Sequence, residues 1–306
     1  MKLDFPKEFF DEEVRDGFTV SSEMKHAWAA EMEVLAKVDD ICKEYGLHYF
    51  AMYGTMLGAV RDKGFIAWDD DIDIGMLRSD LTTFERIAPM VLPKDLHLVS
   101  YLSMKEYNFI IPRVTNGVDF PGSIEMLQDR MDHYHGWPYI AGIDIFPLDY
   151  IPEGQERVNQ NGCLSFMEEC LQCWQNDKIS LADKRYLTVQ LEKALNVTIK
   201  ESENVNEIVN QLTKLEDAAC AMYGPKDTDK VGIAMRELKF PVELFEHTQM
   251  QPFEFTEIPI PLGYKEFLTA HYGDYMKKVN CGSSHDYPYY KEQKEILQKL
   301  GITVNY

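Results

Sequence analysis

The stretch that most limits what this chain can fold into is Trp68-Asp69-Asp70-Asp71-Ile72-Asp73-Ile74-Gly75, which places four carboxylates in five positions. Asp71, Ile72, Asp73 and Ile74 alternate polar and apolar, the two-residue period of a strand with one buried face. That alternation sets Asp71 and Asp73 side by side on the open face and sends Ile72 and Ile74 into a core. Two carboxylates so placed repel each other unless they share a hard cation. A solvated acidic turn is the plainer meaning of a charge run, but a turn has no use for isoleucines in strict alternation. A calcium loop beginning at Asp69 would need Gly where Ile74 stands and Glu where Asp80 stands, so that reading fails.

The residues just upstream supply what the acids lack. Leu47 to Tyr53 reads as a strand running into Gly54-Thr55 and then a short helix. A glycine and a hydroxyl residue at a strand-to-helix junction offer backbone N–H groups to a phosphate. Such a pair is weak evidence alone and becomes specific when an Asp-Ile-Asp strand follows it. Arg61 and Lys63 lie between the turn and the acids, and Arg113 is the next basic candidate; all three are cations that could hold diphosphate oxygens.

Residues 54–76, GTMLGAVRDKGFIAWDDDIDIGM, resemble the motif of the LicD family within the nucleotidyltransferase superfamily. The similarity is close over residues 47–80 and continues at GIDIFPLDY (142–150). It is looser at PIPLGYKEFLTAHYGDYM (259–276). The resemblance implies a metal-dependent transferase that moves phosphocholine, or a related phospho-alcohol, from a cytidine-diphosphate-linked donor (CDP-choline) to a hydroxyl of a cell-surface glycan precursor such as teichoic acid or lipopolysaccharide. It further implies that Asp71, Asp73 and Asp144 hold Mg²⁺ (or Mn²⁺), with Asp70 or Asp71 as the base. Asp144, between Ile143 and Ile145, is expected to point away from the buried face, as Asp71 and Asp73 do. The same metal site would serve nucleotidyl transfer to a phospho-alcohol or sugar, and a non-catalytic nucleotide-binding module on this fold is the other alternative. For choline, a quaternary ammonium without hydrogen bonds, aromatic faces near a carboxylate are required, and Trp68, Tyr272 and Tyr275 are the candidates.

Composition narrows the setting. A formal charge of −20 argues against a nucleic-acid partner and against docking on an anionic membrane. No stretch has the apolar length of a membrane span, no leader is evident, and the six scattered cysteines suit reduced thiols, so a cytoplasmic location is expected. With 45% hydrophobic residues the chain of 306 can bury a substantial core.

The expected fold is α/β (α+β), a nucleotidyltransferase-like mixed sheet flanked by helices with a helical subdomain. Residues 1–150 would form the catalytic core. Residues 151–306 would form a mainly helical region packing on it, with a C-terminal strand-helix block completing the site. Ser21 or Ser22 can cap a helix running to Tyr45 and stopped by Gly46, with Trp28, Met32, Leu35 and Val38 on its apolar face. Residues 1–20 read as an irregular acidic lead-in, 116–138 as loop, and Phe253 to Ile260 as a lone strand. Helices are expected over about 153–174, 181–196, 205–222, 264–272 and 287–300. Cys163, Met167, Cys170 and Trp174 share one helical face, which favours core packing over a zinc site for the Cys170–Cys173 pair.

Overall fold

The computed structural model describes residues 1–280 and 287–304. They form a mixed α/β structure, as expected. Two compact units are present. The first comprises Met1–Leu98, Arg113–Phe146 and Glu243–Tyr306, and the second Val99–Pro112 and Pro147–Val242.

The first unit is built on the helix Ser22–Tyr45. Ser21 caps it, its hydroxyl accepting from the Met24 N–H at 3.2 Å, and Gly46 closes it in the left-handed conformation at φ +67°. Trp28, Met32, Leu35 and Val38 are fully buried along its inner face. The main sheet runs in the order Phe50–Ala51, Ile72–Leu77, Gly142–Tyr150, Arg113–Thr115, His97–Val99. Phe50 and Ala51 pair antiparallel with Gly75 and Ile74, and Arg113 stands directly opposite Asp144. Ile72 and Ile74 are wholly buried, so the alternation read from the sequence does set the inward face of the acid strand.

Four local expectations change. The strand before Gly54 shrinks to Phe50–Ala51. The lead-in contains a hairpin, Glu13–Arg15 with Phe18–Val20, turned by Asp16 and Gly17, both at positive φ as a two-residue hairpin loop favours. Ile124–His133 is a helix capped by the Ser123 hydroxyl, because the glycines and prolines of that region flank it and do not interrupt it. Thr248–Phe253 and Thr256–Pro261 form a second hairpin where one strand was expected.

The second unit holds the helices Gly154–Gln175, Leu181–Leu195 and Val205–Cys220. Met167, Cys170, Leu171, Trp174, Leu191, Val209, Leu212 and Cys220 share one buried cluster. Cys170 is packed there and Cys173 is buried close to it in sequence, both as free thiols, and burial pushes the Cys170 thiol up to about 12. No described helix is long and apolar enough to cross a membrane.

Candidate active site

The acids are fixed one by one by the elements around them. The Asp73 backbone N–H donates to the Thr55 hydroxyl at 2.8 Å, tying the acid strand to the Gly-Thr turn. Indole N–H of Trp28 donates to the Asp69 carbonyl at 2.9 Å. Gly54 is required at its position, since a Cβ there would lie 2.3 Å from Asp69 Oδ2. Tyr53, which precedes it, sits at φ +40°, a strained backbone for an aromatic residue and of the kind concentrated at functional sites.

Asp69, Asp70 and Asp71 each offer a carboxylate oxygen within 4.8 Å of the others. Asp69 and Asp71 are in carboxyl–carboxyl hydrogen-bonding contact. Burial, then the charges of Asp71 and Asp70, hold the Asp69 carboxyl well above the usual range. Burial followed by Asp71, Asp144 and Asp69 does the same to Asp73, with Arg113 opposing. Two carboxylates in contact require a proton or a cation between them. The donor set is all hard oxygen, which fits Mg²⁺ or Mn²⁺.

A cleft of about 430 Å³ opens over this cluster, lined in part by Asp71, Asp144, Glu31, Arg113, Tyr289 and Lys291. Asp144 therefore reaches the same cleft as Asp71, on the strand next to the acid strand. Arg113 forms an ion pair with Asp144, one contact being Nη2 to Oδ2 at 2.9 Å. Among the aromatic candidates, Tyr272 lies in the field of Asp69 and Asp73, and burial with those charges raises its hydroxyl well above the ordinary value. Trp68 is half-buried and packs edge-on against Phe18 at 6.3 Å. Tyr275 presents its carbonyl to Arg61 Nη1 at 3.5 Å.

Other candidates occupy different positions from those their sequence neighbourhood suggests. The Thr55 hydroxyl is buried and committed to Asp73, which leaves the turn's backbone as its phosphate-binding part. Arg61 is buried against Asp62, with Nε and Nη2 at 3.0 and 2.8 Å from Oδ2, and does not line the acid cleft. Lys63 lines a second pocket with Arg15, Asp62, Glu254 and Lys278. Asp70 is fully buried and accepts the Tyr289 backbone N–H at 2.6 Å, which pins the C-terminal segment beside the cleft.

Sequence reasoning missed Glu31, Asp69 and Lys291. Glu31 is buried, and burial followed by the charges of Asp71, Asp70, Asp69 and Asp144 raises its carboxyl well above the usual range. Its signal was available: it falls on the apolar face of its helix, three residues after Trp28 and one before Met32. Lys291 had no such signal, since only the fold brings the C-terminal segment to the cleft.

The mixed sheet thus carries an Asp-x-Asp strand after a Gly-Thr turn, with a further aspartate on the adjacent strand. Residues 46–158 match the LicD/FKTN/FKRP nucleotidyltransferase domain, so this part of the chain is similar to that family. It is 25% identical over 252 residues to the lipopolysaccharide cholinephosphotransferase LicD of Haemophilus influenzae, covering 80% of this chain and 88% of that protein. An uncharacterized protein of Rickettsia typhi is 35% identical over 57 residues, 19% of this chain and 18% of its own length. One of Rickettsia prowazekii is 33% identical over 57 residues, 19% of this chain and 21% of its own.

Proposed function

We propose that the chain is a metal-dependent transferase that moves phosphocholine, or a related phospho-alcohol, from a CDP-linked donor to a hydroxyl of a cell-surface glycan precursor. The observation that carries this reading is the convergence of Asp71 and Asp144 at one cleft, with Asp69 and Asp73 close enough behind them for the four charges to act on one another. The Haemophilus influenzae relative is named for cholinephosphate transfer on lipopolysaccharide, which supports the donor and acceptor classes.

Asp71, Asp73 and Asp144 would hold Mg²⁺ or Mn²⁺. Such a cation, when bound, neutralises charge on the donor diphosphate and lowers the barrier to displacement at phosphorus. Arg113 and Lys291 line the same cleft and are placed to contact phosphate oxygens that the acids would otherwise repel. The backbone N–H groups of the Gly54-Thr55 turn, beside Asp69, offer a further phosphate contact. Asp71 faces the cleft and is the better placed of the two adjacent acids to take the proton of the attacking hydroxyl, since Asp70 is occupied by Tyr289. Tyr272, whose hydroxyl lies in the field of Asp69 and Asp73, would provide the aromatic face and negative field that a quaternary ammonium needs.

The test is a screen of CDP-choline, CDP-ethanolamine and CDP-glycerol with the purified protein, with and without Mg²⁺ or Mn²⁺. Metal-dependent binding of a CDP-alcohol, and CMP release on adding a glycan acceptor, are expected. Transfer of the nucleotide itself to the acceptor, or no binding of any CDP-alcohol, would overturn the reading.

A further inference from the structure

We infer that Glu31 contributes a further carboxylate to the cation site, from the helix Ser22–Tyr45 outside the sheet. The inference rests on the cation-dependent reading above and adds a ligand that the Asp-x-Asp pattern does not contain. That helix buries three charged side chains almost completely: Lys25 at 2%, Glu31 at 1% and Asp39 at 3% exposure. Two of the three are compensated. Lys25 pairs with Glu13 and lies over the rings of Phe9 and Trp28, at 4.9 and 5.3 Å. Asp39 takes the N-terminal ammonium, the Lys43 ammonium at 2.6 Å and the Tyr49 hydroxyl at 2.9 Å.

Glu31 is different. Its Oε2 is buried without a hydrogen-bond partner, and no cation among the described residues pairs with it. The side chain lines the cleft that Asp71 and Asp144 also line. A buried carboxylate without a partner is among the costliest groups a core can hold, and a neutral carboxyl there would still leave a polar oxygen unsatisfied. On the same helix Trp28 and Met32 are wholly buried apolar side chains, so Glu31 stands as a charged group among core positions. A cation between Glu31 and the aspartates supplies the missing partner.

The experiment is Mn²⁺ binding to the metal-free protein, by titration calorimetry and by loss of the free-Mn²⁺ electron paramagnetic resonance signal. Wild type, Glu31→Gln and Glu31→Asp are compared, with melting temperatures taken in parallel. Glu31→Gln should weaken Mn²⁺ by about 10–100-fold, the range seen when a group supporting a metal site is removed. Without metal it should melt no lower than wild type, and it should gain less on adding Mn²⁺. Glu31→Asp, which keeps the charge on a shorter arm, should retain more affinity than Glu31→Gln. Equal Mn²⁺ affinity in wild type and Glu31→Gln would overturn the inference and leave the main reading standing. A lowered metal-free melting temperature with unchanged affinity would also overturn it, making Glu31 a structural group. A wild-type protein that binds no Mn²⁺ would remove both readings together.

Discussion

Replacing Glu254 by Gln should destabilise the first unit and loosen the loop that carries the acids. Glu254 sits at φ +53° in the turn between Thr248–Phe253 and Thr256–Pro261. Its carboxylate accepts from Arg15 Nη1 at 2.6 Å, Arg15 Nη2 at 2.8 Å and the Phe65 N–H at 3.0 Å, while its own N–H donates to the Lys63 carbonyl at 2.8 Å. Gly64 is needed beneath it, because a Cβ there would lie 2.2 Å from Oε1. The clamp reaches the site through Phe65, whose ring stacks on Trp28 at 4.5 Å, and Trp28 in turn holds the Asp69 carbonyl.

In Glu254→Gln one carboxylate oxygen becomes an NH₂ group that faces a donor, and the Arg15 charge loses its main partner. Breaking a buried ion pair from one side costs roughly 3–5 kcal/mol. The Glu254 side chain is 7% exposed but Arg15 is 25% exposed, so water recovers part of the loss. The low end, about 3 kcal/mol, is expected. At about 2–4 °C per kcal/mol for a domain of ~150–250 residues, the melting temperature should fall by about 6–12 °C. Burial lowers the Arg15 pKa, yet the hydrogen bonds and charges of Glu254 and Glu13 outweigh it and leave a net rise. For a base with a raised folded value, the stabilisation is complete below the unfolded value and is lost only as pH rises through the folded one. The Arg15 charge therefore persists across the neutral range. Calorimetry of wild type, Glu254→Gln, Arg15→Met and the double variant is the assay, with the cycle giving the coupling energy. A Glu254→Gln variant melting within about 2 °C of wild type would refute the argument, because it would place the clamp among ordinary surface pairs.

Asp71→Asn and Asp73→Asn should each abolish turnover while the fold stays intact or gains slightly in stability, since like-charge repulsion is relieved; near-normal turnover in either would exclude the metal assignment. Glu31, Asp69 and Asp73 all have raised folded values, so the native state keeps their protons longer than the unfolded chain does. Metal-free protein should therefore lose stability as pH rises above about 4, by up to about 1.4 kcal/mol per pH unit per proton, and Mg²⁺ should restore it near neutrality. Comparison with Asp73→Asn separates this from Glu13 and Asp39, whose lowered values act the other way as pH falls; identical pH profiles in the two proteins would contradict it. Trp68→Ala should weaken CDP-choline much more than CDP if Trp68 meets the choline, and equal loss for the two ligands, read by calorimetry, would place it against the nucleotide or the core.

What the sequence made legible was whatever depends on local periodicity. Ser21 and Gly46 bracket one helix, Gly273 stops another, and the isoleucines of the acid strand declare its buried face. The helix Tyr264–Tyr272 and the three long helices of the second unit follow from the same logic. The hairpin at Asp16-Gly17 was missed, because an acidic segment that short offered little hydrophobic alternation beside its turn signal. Pro252, Pro259 and Pro261 disguised the later hairpin, because a proline removes a ladder donor and reads as a break. Direction was not legible at all. Gly58–Asp62 forms a wide helical turn and Lys63 follows at φ +64°, so Arg61 and Lys63 end away from acids that stand less than a dozen positions further on. Arg113 gains its place only from strand register, which puts it opposite Asp144.

The acid cluster persists because the fold determines each member independently of the charges. Thr55 holds Asp73 by its backbone, Trp28 holds Asp69 by its carbonyl, the Tyr289 N–H holds the Asp70 carboxylate, and strand pairing holds Asp144. These ties run through neutral donors and acceptors, and Asp144 also pairs with Arg113. The scaffold thus fixes where the carboxylates stand, close enough that burial and their mutual charges raise the Asp69 and Asp73 carboxyls. Acids brought this close together are poised to gain binding energy from a divalent cation, and that energy is then available to draw an anionic diphosphate into an acidic cleft.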